Sequence, residues 1–268
     1  MMRIPNILTA AGSDSGGGAG IQADLKTIMA MGCYGMSAIT ALTAQNGLGV
    51  TGIFPASPEF VSLQIETVAQ GFAIDAAKTG MLFNAGIIRA VAKAFAGHSF
   101  PLVVDPVSVA TSGSRLLEES AVDSLIRDLL PLADIVTPNI PEAEMLSGMA
   151  VADVEGQAAA GRRILDLGPG AVLVKGGHRP GTDTVTDVLV LPGQDPVLLP
   201  QKKVETGNTH GTGCSLSAAI ASGLGQGKSM AEAVTQAQAF LNRALRESYN
   251  PGKGCGPVNH AAGLCRRD

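Results

Sequence analysis

Apolar runs and helix-period segments alternate along nearly the whole chain. Short runs rich in Ile, Val, Ala and Leu predict strands at Asn6–Ala11, Gly35–Ala41, Ala73–Lys78, Leu102–Val104, Ile135–Thr137, Ala171–Val174 and Val185–Val190. Segments with apolar residues three and four apart predict helices at Gly20–Met31, Pro58–Gly71, Ala85–Phe95, Ala121–Leu130, Pro141–Leu146, Val154–Leu167, Gly213–Gly223 and Met230–Glu247. Local punctuation agrees. Ser57-Pro58-Glu59 reads as an N-cap, a first-turn proline and an early acid. Gly168-Pro169-Gly170 stops the helix before it, and Asn46-Gly47-Leu48-Gly49 predicts a small hairpin after the second strand. The alternation predicts an α/β fold with a mostly parallel sheet covered on both faces. Ligands then belong at the carboxyl ends of the strands.

The chain reads as a single domain over residues 1–268, without a repeat, linker or low-complexity tract. The Gly- and Pro-rich stretch from Asn250 to Asp268 reads as irregular. Net charge is −4, so no basic field argues for nucleic acid or acidic lipid, and an anionic substrate must be met by local groups. Aromatics make up 3% with no Trp, which disfavours a base-stacking platform. Cys33, Cys214, Cys255 and Cys265 stand far apart with no CxxC pair, which fits a reduced, cytoplasmic protein. The apolar run Ile4–Ala11 is short, contains Pro5 and Asn6 and soon meets Asp14, so it reads as a buried strand rather than a signal peptide. No apolar run is long enough for a membrane span.

The strongest chemical signal is Asn208-Thr209-His210-Gly211-Thr212-Gly213-Cys214, which opens an apolar helix. A glycine turn at a helix start presents several unpaired N–H groups to one point, and the helix dipole adds positive potential there. Phosphate is the natural occupant. Cys214 sits at that start, where a thiol pKa is expected to fall. A second glycine loop, Gly12-Ser13-Asp14-Ser15-Gly16-Gly17-Gly18-Ala19-Gly20, precedes Asp24. Its Gly18-x-Gly20-x-x-Ala23 formally fits a dinucleotide fingerprint, but the next acid after Asp24 is Glu59, far too late for a ribose. A Walker A motif is absent, because Ser222 stands where the first glycine before Gly227-Lys228-Ser229 belongs.

Other strand ends carry further candidates. Gln45 offers an amide edge suited to a ring nitrogen beside an amino group, or is an ordinary turn residue. Asn139 and Glu142 have capping-box spacing, and equally suit a phosphate and the water shell of Mg²⁺. Asp105 ends a strand and joins that metal shell, or is a turn acid. Lys175, before Gly176-Gly177-His178, suits a phosphate-facing charge or a surface lysine. His178 and His210 lack metal-ligand spacing, so no zinc site is read.

Taken together, Ala10 to Asp24, Ile39 to Asn46, Lys78-Thr79-Gly80-Met81-Leu82, Thr137 to Glu142, Lys175 to His178 and Asn208 to Cys214 resemble the hydroxymethylpyrimidine/phosphomethylpyrimidine kinases of thiamine synthesis, within the ribokinase-like superfamily. The resemblance covers nearly the whole chain. It implies a three-layer α/β/α ribokinase-like fold, Mg²⁺ with ATP as phosphoryl donor, and a homodimer. It implies 4-amino-5-hydroxymethyl-2-methylpyrimidine and then its monophosphate as acceptors. Gly12, Ala19, Asp24, Gln45 and Met81 would bind the pyrimidine. Asn139, Lys175 and Thr209 would serve ATP and phosphate, and Glu142 and Asp105 the metal. Gly211, Thr212 and Gly213 would form the anion hole, with Cys214 beside the acceptor alcohol as base. Two departures stand out: Thr111 and Gly207 occupy positions where such kinases often carry lysine, which would weaken phosphate binding. A pyridoxal kinase and a non-catalytic pyrimidine sensor are the competing readings.

Overall fold

The computed structural model describes residues 3–108, 116–177 and 183–264. Thr111, His178 and Cys265, singled out above, lie outside them. Nine strands form one sheet in the order β3-β2-β1-β4-β5-β6-β7-β8-β9. These are β1 (Asn6–Asp14), β2 (Tyr34–Asn46), β3 (Gly49–Pro55), β4 (Ala76–Thr79), β5 (Leu102–Val104), β6 (Ile135–Val136), β7 (Val172–Val174), β8 (Thr184–Val190) and β9 (Val197–Lys202). The run from β2 through β1, β4, β5 and β6 to β7 is parallel, and β3, β8 and β9 add antiparallel edges. The helices are α1 (Gly20–Ala30), α2 (Pro58–Gly71), α3 (Ala85–Phe95), the single turn α4 (Val122–Ser124), α5 (Ile140–Ser147), α6 (Val154–Leu165), α7 (Thr212–Gly225) and α8 (Met230–Arg246).

Both sheet faces are buried, because the parallel strands are largely apolar, with Thr9, Lys78 and Thr79 as buried polar exceptions. Successive residues serve opposite cores. Leu8, Leu102, Val104, Val136 and Val172 pack with Val61 and Ile65 of α2, Ile88 of α3, Ala143 of α5 and Ile164 of α6. Ile7, Val103, Ile135 and Leu173 pack with Ile28 of α1, Leu216 and Ile220 of α7 and Phe240 of α8. The fold is thus the expected three-layer arrangement. Three local differences from the sequence reading have simple causes. The predicted hairpin is real, but β2 runs on to Asn46 and pairs with β3, so that only Gly47 and Leu48 form the turn. Edge strand β9 carries Pro200 and few buried positions, so no strand period marks it. The helix expected over Ala121–Leu130 breaks into 3₁₀, α and π turns before Pro131, whose ring cannot continue an α-helix.

The parallel strands all point their carboxyl ends one way. That edge brings together Asp14, Gly80 and Met81, Asp105, Asn139 and Lys175, from loops far apart in sequence. Two irregularities in the ladder, between Ala11 and Ser13 against β2 and between Ala44 and Gln45 against β3, re-aim side chains at the same edge.

Candidate active site

A cavity of about 460 Å³ opens over this edge. At its centre is the start of α7. Gly211 caps the helix with φ +81°, and a Cβ there would run into the carbonyl oxygen of Gly18. Only glycine therefore lets the two glycine loops touch. Thr212, Gly213 and Cys214 follow in the first turn, whose amides have no acceptor within the helix, and all three line the cavity.

One end of the cavity is charged. Lys175 Nζ donates to Asp105 Oδ1 at 3.0 Å, and Thr137 Oγ1 donates to the same oxygen at 3.2 Å. Ser217 Oγ, one turn into α7, reaches Asp105 Oδ2 at 3.3 Å. A Cβ on Gly213 would lie 3.4 Å from Lys175 Nζ, so the ion pair sits directly against the helix start. Burial works to lower the Lys175 pKa, but Asp105 and Glu142 more than reverse it and hold the ammonium charged. Burial works to raise Asp105, and Lys175 and Lys78 hold it below the usual carboxylate range. Asn139 and Glu142 form a full capping box on α5: Glu142 N donates to Asn139 Oδ1 and Asn139 N to Glu142 Oε2, both at 2.9 Å. Ser108 N donates to the other Glu142 oxygen at 3.2 Å. Burial raises the Glu142 pKa, Lys175 opposes this and Asp105 adds to it. A cation or a phosphate-bound metal at this end is therefore favoured by two buried acids, while Lys175 and the helix start receive anions.

The other end is formed by Gly12, Ala19, Met81, Thr43, Gln45, His210 and the apolar Val107 and Leu116. A Cβ at Gly12 would meet Met81 Sδ at 2.9 Å, so the glycine lets the Met81 side chain lie flat against β1. Asp14 organises the first glycine loop: it accepts from the amides of Gly16 (2.8 Å), Gly18 (3.0 Å) and Ala19 (2.8 Å), and meets His210 Nε2 at 2.8 Å. Burial alone would raise its pKa, but the His210 contact and the amides bring it below the usual value.

Most candidate residues converge on this cavity: Gly12, Ala19, Gln45, Met81, Asp105, Asn139, Glu142, Lys175 and Gly211 to Cys214 all line it. Two do not. Asp24 is fully buried beneath the wall, where Thr9 Oγ1 donates to it at 2.7 Å and Lys78 Nζ at 3.0 Å. Thr209 turns toward Cys255, with Oγ1 and Sγ 3.6 Å apart. The expected acidity of Cys214 is also reversed. Burial pushes the thiol up to about 12; Asp24 and Asp105 add to this, and Lys78 with the Gly20 amide only partly offsets it. A helix start lowers an exposed thiol, but here burial, with Asp24 and Asp105 behind the thiol, outweighs it. Sequence reasoning missed Asp14, Thr43 and His210 as one group. The local signal reached only as far as an acid heading a run of glycines; its partner His210 lies 196 residues on.

The phosphomethylpyrimidine kinase family model matches residues 14–259, which hold every cavity residue named above except Gly12. The chain belongs to this family. A hydroxymethylpyrimidine/phosphomethylpyrimidine kinase from Rhizobium meliloti is 49% identical over 94% of this chain and 96% of its own length. A phosphomethylpyrimidine kinase structure from Clostridium difficile is 41% identical with TM-score 0.79, covering 91% of this chain and 100% of that one. The pyridoxal kinase of Staphylococcus aureus, in complex with AMP-PCP and pyridoxal, is 35% identical with TM-score 0.88, covering 97% and 95%. Kinases of this ribokinase-like fold thus include two vitamin activities, and family membership makes this chain a phosphotransferase.

Proposed function

We propose that this kinase transfers the γ-phosphoryl group of ATP to the hydroxymethyl group of 4-amino-5-hydroxymethyl-2-methylpyrimidine, and then phosphorylates the monophosphate to the diphosphate. One observation carries the reading: the α7 start and the Lys175–Asp105 pair lie between an amide-bearing apolar pocket and a charged cleft. That supports an anion-stabilising point between a small heteroaromatic alcohol and a triphosphate. Phosphoryl transfer passes through a loose transition state, so positioning and charge neutralisation supply most of the rate. The amides of Gly211 to Cys214 receive charge spreading over the equatorial oxygens. Lys175 adds a point charge there, and Asn139 serves the phosphates from the cap of α5. Thr209 supports the glycine turn rather than touching phosphate.

Asp105 and Glu142 fit a magnesium ion held mainly by phosphate and water, because each carboxylate is fixed by protein donors and retains further lone pairs. Such an ion neutralises the phosphates when bound. Gln45 holds the aminopyrimidine edge, with Gly12, Ala19 and Met81 around the ring. Asp24 acts from below: its pairing with Lys78 fixes the floor under Cys214. With its thiol pushed up to about 12, Cys214 stays protonated through neutral pH. It positions the alcohol, whose proton passes late in the transfer to an oxygen of the phosphoryl group it attacks.

The span 1–268 works as one kinase domain, a reading supported by the continuous nine-stranded sheet. The reading includes a homodimer, supported by exposed Phe54, Phe60 and Leu63 near the β3 edge, and a reducing, cytoplasmic setting, supported by the free thiols of Cys33, Cys214 and Cys255. The net charge of −4 supports a reading with neither nucleic acid nor membrane as partner.

The test is ADP release with each acceptor supplied separately. Turnover on the hydroxymethylpyrimidine is expected, with a weaker second phosphorylation because Gly207 and Thr111 bring no lysine. A Cβ at Gly207 meets nothing within 4 Å, so Gly207→Lys is expected to strengthen the second step. Equal efficiency in both steps would discard that part, and pyrimidine binding without ADP release would make the protein a sensor. A second reading, pyridoxal phosphorylation, is supported by the TM-score of 0.88 to a pyridoxal kinase; turnover on pyridoxal above that on the pyrimidine would install it.

A further inference from the structure

Lys175 stands where two strands part. β7 pairs with β8 only as far as Val174 opposite Val188. Continued, that register would set Lys175 opposite Asp187 and Gly176 opposite Thr186. Gly176 does come close, since a Cβ there would run into the Thr186 carbonyl oxygen. Its amide donates instead to the side chain of Asp187, at 2.8 Å from Oδ1. The amide of Lys175 turns away from β8, to the carbonyl oxygen of Pro138 at 2.8 Å, just before the cap of α5. Two carbonyl oxygens at this fork, those of Val174 and Thr186, accept the two N–H bonds of one side-chain amide: Gln157 Nε2 reaches them at 3.2 and 3.1 Å. Gln238 Nε2 backs Asp187, donating to Oδ2 at 2.7 Å. Gln157, Asp187 and Gln238 are all buried. They reach the fork from both helical layers: Gln157 sits on α6, which packs on one face of the sheet, and Gln238 on α8, which packs on the other.

We infer that Gln157 and Asp187, with Gln238 behind Asp187, are positioning residues that clamp the fork between β7 and β8 and so set Lys175 against the first turn of α7. The inference rests on the proposed phosphate-facing role of Lys175. A lysine ammonium rides on a flexible four-carbon stem, so its placement is only as good as that of the peptide carrying it. Here the peptides on both sides of Lys175 are fixed by side chains rather than by a ladder: Val174 O by Gln157 and Gly176 N by Asp187. With the backbone held, Nζ meets Asp105 at 3.0 Å beside Gly213. Gln157 does not line the cavity, so its influence on turnover has to pass through the fork. Asp187 is needed as an acceptor more than as a charge. Burial pushes its carboxyl up, and the Gly176 amide and Gln238 only partly offset this. An asparagine would keep an oxygen for the Gly176 amide, with the Gln238 amide turned over to meet the new NH₂ group.

The experiment is a set of double-mutant cycles read by ADP release, with ATP and the hydroxymethylpyrimidine varied in turn. Gln157→Met, Asp187→Ala and Asp187→Asn are each made in the unaltered chain and in Lys175→Met. In the unaltered chain, Gln157→Met and Asp187→Ala are each expected to lower kcat/KM for ATP about 10-fold or more, the cost of misplacing a positioned group by a fraction of an ångström to 1 Å. KM for the pyrimidine is expected to stay within about 2-fold, because the aromatic end is built on other elements. Asp187→Asn is expected to stay within about 3-fold of the unaltered chain. In Lys175→Met the same substitutions are expected to cost less than about 3-fold, since the group they place is gone. Gln157→Met and Asp187→Ala act from opposite layers, so either cycle alone decides the matter if the other variant does not fold. An equal loss in both backgrounds means a merely structural role and overturns the clamp, as does full activity in both Gln157→Met and Asp187→Ala. Full activity in Lys175→Met overturns the phosphate-facing reading of Lys175 and the clamp with it.

Discussion

The two ends of the cavity are built on different principles. At the phosphate end, fixed positive potential comes from backbone and from one buried ammonium: the first turn of α7 and Lys175 against Asp105. At the aromatic end almost nothing is charged toward the ligand; Asp14 spends its charge on three amides and a histidine. In the proposed function the first end stabilises a transferring group whatever alcohol receives it. In the same reading the second discriminates among alcohols and contributes little to the transfer itself. Damage to the phosphate end should therefore lower turnover on every acceptor by one factor, whereas damage to the aromatic end should alter the ratio between acceptors.

The largest expected effect is at Gly211. Gly211→Ala forces a Cβ onto the Gly18 carbonyl at φ +81° and displaces the first-turn amides. kcat/KM should fall roughly 10³-fold, the cost of losing an oxyanion donor, and equally for the 4-aminopyrimidine alcohol and its 4-oxo analogue. A change in their ratio would show that the glycine contact also shapes the aromatic end. Next comes Lys175→Met, expected to lower kcat/KM about 10²-fold and to cost about 3 kcal/mol in denaturant unfolding, because Asp105 is left buried without its cation. Since Thr137 and Ser217 still reach Asp105, the chain should fold. Unchanged stability would show that these two hydroxyls suffice.

The smallest effect concerns Cys214. Its thiol is raised above the usual range, so the protonated form dominates from pH 6 to 9 and no thiolate is lost as pH falls through that window. The kcat/KM profile should lack a limb near pH 8, and Cys214→Ser should retain activity within about 10-fold. A limb near pH 8 that disappears in Cys214→Ser would restore the cysteine as a base and place proton removal at the boundary between the two ends.

The same division explains what could be read from the sequence. Parallel strands were legible because they are apolar on both faces, as in Leu102–Val104 and Val172–Val174. The edge strands β3 and β9 were not, since half-exposed segments carrying Gly52, Pro55 and Pro200 show no clean period. The phosphate end is encoded locally: a glycine turn before a helix, a capping box, an acid or a lysine closing a strand. Each of those patterns carries its geometry with it. The aromatic end is encoded by contacts between distant segments. Nothing local says that Asp24 turns inward to Lys78, or that Asp14 and His210 meet. Even where the local pattern was right, its electrostatics depended on neighbours: burial in the packed fold, with Asp24 and Asp105 adding to it, raises the Cys214 thiol at its helix start.

The pairing of Asp14 with His210 joins positions separated by 196 residues. Its strand, β1, lies inside the sheet, yet its partner follows eight further strands in the chain. Closing so large a loop is slow and must await most of the other elements. His210 and the α7 start belong to one late segment, so both ends of the cavity are completed only when that segment docks.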